Sequence, residues 1–164
     1  MVTEARMAAL AGALSDDAAV HRYAAWPDDP VPHEAAEAAR VGALQPADLV
    51  VALSFGTLVA MAAREAHGLR AKAYVFLGAP VRRLAAEGRL GVLARQAAAA
   101  PTLFIQQTED FTGPYGELLA ALPPDAASHE VPGDDHVYDD ASGLAQIITR
   151  WAGAPRRIST NRHV

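Results

Sequence analysis

Residues 50–63 read VVALSFGTLVAMAA: an apolar run meets one hydroxyl, Ser54, and then continues as a second apolar run. The first run, 48–54, has the continuous Val/Leu content of a strand buried on both faces. The second, 56–67, carries apolar residues at helical spacing and ends near Gly68. Ser54 therefore stands at a strand-to-helix turn, with small residues Ala52 and Gly56 two positions before and after it. This small-x-Ser-x-small spacing is that of a nucleophile elbow. There, strand and helix come too close for large side chains, and a strained turn exposes the serine Oγ above the sheet. The same residues also fit an ordinary turn in which Ser54 only caps the following helix.

The chain around this stretch has 164 residues, of which 51% are hydrophobic and 20% charged, a globular composition for one domain. The domain is expected over 1–154, with the basic stretch 155–164 as a loose tail after Pro155. A net charge of -5 and no basic patch argue against a nucleic-acid partner. The absence of cysteine excludes disulfides, thiolate metal sites and a cysteine nucleophile. No apolar run reaches the roughly 18 residues of a membrane span. The N-terminal MVTEARMAALAGALSDD carries Glu4 and no basic leader, so it reads as an amphipathic helix rather than a signal peptide. No membrane partner and a cytoplasmic location are expected.

Outward from the Ser54 turn, helical and strand patterns alternate. Helices are expected at 3–14, 33–44, 56–67, 82–99 (interrupted by Gly88 and Gly91), 114–122 and 138–152. Strands are expected at 19–25, 48–54, 71–80, 101–107 and 127–133. Three prolines in WPDDPVP, 26–32, forbid regular structure there. Strands separated by helices imply right-handed crossovers and a mainly parallel sheet covered on both faces, a three-layer α/β/α fold. Ligands of such sheets sit at the carboxyl ends of the strands. Asp110 follows the strand 101–107, and His136 follows 127–133. Ser54, Asp110 and His136 thus come in the order nucleophile, acid, histidine, each just past a strand. The chemistry uses all three: a neutral imidazole takes the serine proton during attack, and a buried carboxylate holds its tautomer and stabilises its charge.

Further stretches carry a family resemblance. PTLFIQQTEDFTGP, 101–114, resembles the acid-bearing stretch of α/β hydrolases, with Asp110 followed four residues on by Pro114. VPGDDH, 131–136, resembles their histidine loop, and AYVFLGAPV, 73–81, the strand after the elbow. YAAWPDDP, 23–30, is similar to the Trp-Pro segment of small serine hydrolases of the retinoblastoma-binding-protein 9 type. The resemblance covers roughly 19–152. It implies an α/β-hydrolase-like fold and a triad of Ser54, Asp110 and His136, with the Phe55 N–H as an oxyanion donor and neither a metal nor an organic cofactor. The chain departs from the family at its start. The usual first strand and its oxyanion loop have no counterpart before the helix 3–14, so the chain reads as N-terminally shortened. Strand 19–25 must then pair directly with 48–54, leave the sheet, or have the gap filled by another chain. Displacement of the first helix and of 19–25, with homo-oligomer formation through them, is the expected consequence.

Other readings stand beside these. Glu109 is the second candidate acid, and Asp110 also fits a residue at the start of the helix 114–122. His136 also fits a surface loop. His21, His33, His67 and His129 lack a matching context and read as structural. Asp134, Asp135, Asp139 and Asp140 around His136 have no recognisable metal-ligand spacing; they suit a solvated loop and the start of a helix. Arg82 and Arg83 read either as a solvated helix start or as attraction for an anionic substrate. The functional expectation is a hydrolase of a small acyl substrate, an ester or thioester. Its rivals are a non-catalytic hydrolase-fold binding or assembly module, and acyl transfer to an alcohol or amine with the same residues.

Overall fold

The computed structural model describes residues 2–24 and 33–153. Four strands form one sheet: β1 (Ala47–Leu53), β2 (Ala71–Leu77), β3 (Thr102–Gln107) and β4 (Ala127–Val131). They lie side by side in that order, every neighbouring pair parallel. Parallel neighbours need a crossover between them. The crossovers are α3 (Phe55–Ala66), then α4 (Val81–Ala86) with α5 (Gly91–Ala99), then α6 (Tyr115–Ala121). Helices α1 (Val2–Leu14) and α2 (Glu34–Gly42) precede the sheet, and α7 (Ala141–Gly153) follows it.

Alternation along the strands sorts their side chains into two cores. Ala52, Tyr74, Phe76 and Phe104 face one side, where they pack with Ala38 and Val41 of α2, Leu58 and Met61 of α3, Leu93 of α5 and Leu118 of α6. Val75, Leu77, Leu103 and Ile105 face the other, against Leu10 of α1 and Leu144 and Ile148 of α7. The result is three layers, α/β/α, with α1 and α7 alone on one face among the described residues. Each fully buried Leu, Ile or Phe contributes about 1.5–3 kcal/mol.

The helical stretch 82–99 is interrupted where expected, dividing into α4 and α5 with Gly88 between them at φ 66. The structure differs from the sequence reading at element ends, for local reasons. The strand 71–80 ends at Leu77, where Gly78 turns the chain at φ 56. The last helix starts at Ala141, and Asp140 accepts the Gly143 N–H at 2.8 Å. The strand expected at 19–25 does not form: residues 18–24 have no regular secondary structure. Its backbone is engaged elsewhere. The fully buried Glu37 of α2 accepts the Ala24 N–H at 2.8 Å and also binds His21 Nε2 at 3.0 Å. A strand needs its N–H groups for a ladder, and here a carboxylate takes one and draws the segment onto α2. It has left the sheet, so among the described residues β1 has a strand on one side only. Ala25, the Trp26–Pro27 segment and the basic tail lie outside the described residues.

Candidate active site

All the βα turns open at one end of the sheet, and the candidate residues gather there. Ser54 joins β1 to α3 with φ 53 and ψ -121. A non-glycine residue in such a conformation carries on the order of 1–3 kcal/mol of strain. The surroundings hold it. The Ser54 N–H donates to Leu77 O of the neighbouring strand at 2.8 Å, and Ser54 O accepts the Thr57 N–H at 2.9 Å and the Thr57 hydroxyl at 2.7 Å. The Ser54 side chain makes no capping hydrogen bond, so the turn leaves its hydroxyl uncommitted to the helix. A Cβ on Gly56 would stand 3.7 Å from Ala52 Cβ, which is the close approach the small residues permit. Phe55, as the first residue of α3, has no partner for its N–H within the helix.

Asp110 and His136 meet beyond β3 and β4. His136 Nδ1 lies 2.9 Å and 2.8 Å from the two Asp110 carboxylate oxygens. Asp110 is fully buried and accepts three further bonds: the Thr112 N–H at 2.8 Å, the Thr112 hydroxyl at 2.7 Å and the Tyr138 hydroxyl at 2.8 Å. Burial alone would raise its pKa. The hydrogen bonds from His136, Thr112 and Tyr138 outweigh burial and hold the carboxyl below its ordinary value. Asp110 is therefore a carboxylate at neutral pH, and as an acceptor it takes its hydrogen bond from His136 Nδ1–H. Nε2 is buried and has no hydrogen-bond partner among the described residues. Such an orphan is uncommon in a protein interior and marks a place where another polar group belongs. No hydrogen bond joins Ser54 to His136 Nε2; each instead sits against the end of β2. Leu77, which holds the Ser54 N–H, is followed by Gly78, where a Cβ would stand 2.7 Å from His136 Cε1 and 2.8 Å from the Tyr138 ring. Only glycine tolerates both that approach and φ 56.

Three supporting residues escaped the sequence reading. Gln107, at the end of β3, frames the histidine loop with its side-chain amide. Its Nε2 donates to Asp135 Oδ1 and Val137 O, both at 3.0 Å, and its Oε1 accepts the His136 N–H at 2.7 Å. This grip holds His136 at its left-handed φ of 58. Gly133 lies so close that a side chain there would run into the Gln107 amide. Tyr138 accepts the Gln107 backbone N–H at 3.0 Å while its own hydroxyl donates to Asp110. Burial and the Asp110 charge raise its pKa, so it stays a donor. Thr112 is the third. One signal was available for Gln107: an amide ending a strand buried on both faces must find partners. The role of Tyr138 had none, since it depends on where loops from different strands meet; Thr112 donates to Asp110 two residues before it, a local Asx-type contact.

A cleft of about 380 Å³ opens beside Ser54, walled by Phe55, Pro80, Phe111, Thr112 and the two arginines. Phe111 is 60% exposed at its mouth, with its ring centroid 5.4 Å from that of His136. Arg82 is committed to Glu117 and to Phe111 O, and Arg83 to Glu87 while lying over the Phe55 ring. Both cations face the cleft already paired. Glu109 is exposed, and Asp110, not Glu109, bonds to His136. Asp135 accepts from Gln107, and Asp140 caps α7. Among the described residues no group of His, Asp or Glu gathers as a metal site, and no helix is long and apolar enough to cross a membrane. His21 binds Glu37, while His33, His67 and His129 are exposed.

This arrangement places a hydroxyl, an imidazole with a free nitrogen, a buried carboxylate and a helix-terminal N–H at one end of the sheet, beside a partly apolar cleft. The chain matches no protein-family model, no curated protein and no solved structure.

Proposed function

We propose that this chain is an α/β-hydrolase-like serine hydrolase that cleaves a carboxylic ester or thioester through an acyl-enzyme. The observation that carries this reading is the buried Asp110–His136 pair, whose imidazole Nε2 is left without a partner beside the strained Ser54 turn. Ser54 Oγ attacks the acyl carbon while its proton passes to His136 Nε2, and the carbonyl electron pair moves onto oxygen. The imidazolium that forms is stabilised by Asp110. Collapse of the intermediate expels the alcohol or thiol, which takes the proton back from Nε2. Water then repeats the sequence on the acyl-enzyme, releasing the acid and restoring Ser54. The Phe55 N–H faces the developing oxyanion, and Phe55, Pro80 and Phe111 favour an apolar acyl group.

A fluorophosphonate probe tests the reading. The folded chain should be labelled, and Ser54→Ala should abolish labelling. Persistent labelling in Ser54→Ala would put the nucleophile elsewhere. The second reading, a hydrolase-fold binding module, draws on the absence of a Ser54–His136 hydrogen bond. An unreactive Ser54 in folded protein would favour it.

A further inference from the structure

One buried charge has no part in the chemistry above. Glu37 is completely buried, yet it is held as a carboxylate. Burial would raise its pKa, but the Ala24 N–H, His21 and Arg40 together bring it below its ordinary value. Arg40 binds both of its oxygens at 2.8 Å. Leaving a charge buried this way is costly unless every oxygen is partnered, and here every oxygen is. The bonds from His21 and Ala24 to Glu37, with Arg40 donating to Arg22 O at 3.3 Å, clamp residues 21–24 against α2. The residue presented by that clamp is Tyr23. Its ring packs edge-on against Phe55, with centroids 5.8 Å apart, and against His21 at 6.0 Å. Its hydroxyl reaches the first turn of α3, 3.1 Å from where a Gly56 Cβ would lie. No described residue hydrogen-bonds that hydroxyl. A phenol has thus been brought to the two residues after the nucleophile, its O–H unspent among the described residues.

We propose that the Tyr23 hydroxyl is the second oxyanion donor, acting with the Phe55 N–H on the carbonyl oxygen that Ser54 attacks. The proposal rests on the hydrolase reading. As the Oγ–carbon bond forms, negative charge grows on that oxygen, and two donors aimed at it stabilise the transition state more than the ground state. Tyr23 keeps its proton throughout; it donates a hydrogen bond only, while the serine proton goes to His136. Burial and the nearby Glu37 charge raise the phenol to about 12, so it is a neutral donor across the working range of an imidazole base. Gly56 has a second reason to be glycine, since any side chain would push on this hydroxyl.

The test compares wild type, Tyr23→Phe, Tyr23→Leu and Ser54→Ala on a p-nitrophenyl ester and on a fluorophosphonate probe. Tyr23→Phe keeps the ring on Phe55 and deletes only the hydroxyl. It should lower kcat by about 10²–10³-fold, the usual loss for one oxyanion donor, with KM and melting temperature close to wild type. Tyr23→Leu should lose no more than a few-fold beyond Tyr23→Phe. If Tyr23→Phe turns over like wild type while Ser54→Ala is dead, the hydroxyl has no such role and the hydrolase reading stands. If only Tyr23→Leu loses activity, the ring matters and the proposal is overturned. A wild type that neither turns over nor labels overturns both readings together.

Discussion

Asp110 and Glu109 are adjacent in the chain and carry the same charge, yet they stand in opposite environments. Asp110 is enclosed by five hydrogen-bond contacts, counting both to His136, and Glu109 lies exposed on the surface. A carboxylate that orients an imidazole must be desolvated and fixed, because a mobile, hydrated one neither selects the tautomer nor stabilises the charge. On the hydrolase reading proposed above, Asp110→Asn should therefore lower kcat by about 10³–10⁴-fold. Glu109→Gln, a change in a solvated charge, should leave kcat within about two-fold. Steady-state kinetics on the two variants check this, and a larger loss in Glu109→Gln would reverse the assignment.

Among the secondary-structure elements, α2 and the segment beside it hold the most electrostatic risk. The Glu37 carboxyl is below its ordinary value in the folded state, so unfolding takes up a proton in acid. Its contribution is full above the unfolded value of about 4.3 and is lost as pH falls through the lower folded value. Asp110 adds a second loss of the same sign. The melting temperature should fall on acidification from about pH 4 downward. Glu37→Gln should be less stable by about 1–3 kcal/mol at neutral pH, because a charged acceptor of several bonds becomes a neutral one. It should also show a shallower acid decline. Melting curves of both proteins between neutral pH and about pH 2.5 would decide it, and parallel curves would mean Glu37 is not the source.

The assembled sheet ends at β1 on an unpaired side among the described residues. Leu49, Val50, Val51 and Leu53 are only half-buried there, while β3 is buried along its whole length. An open apolar strand edge is a template for another strand. A second copy of the chain is the expected partner, and sedimentation velocity over a wide concentration range should show a reversible shift to larger species. A single monomeric boundary at every concentration would rule this out. Core packing supplies the opposing force: Phe76 and Phe104 meet edge to face at 5.7 Å deep between the layers, so association should add to a folded chain rather than create one.

By itself the sequence determined the alternation of strands and helices and the parallel, doubly covered sheet. Those follow from local periodicity, which each segment carries in its own residues. The runs 48–54 and 101–107 are apolar throughout because both of their faces meet helices, and the spacing around Ser54 records a steric demand of a single turn. That Ser54, Asp110 and His136 each follow a strand was legible for the same reason, while their reading as one catalytic set came from the family resemblance. Residues 19–25 were not. Their apolar spacing suits a strand, but Glu37, more than ten positions later, competes for the backbone, and no local pattern registers a distant carboxylate. Gln107, Tyr138 and Tyr23 belong to the same class. Each acts through a partner carried by another loop or helix, at a position set only once the sheet has closed. Which polar groups face one another across the carboxyl end of the sheet was decided by tertiary packing, because hydrogen bonds depend on distance in space and not on separation along the chain.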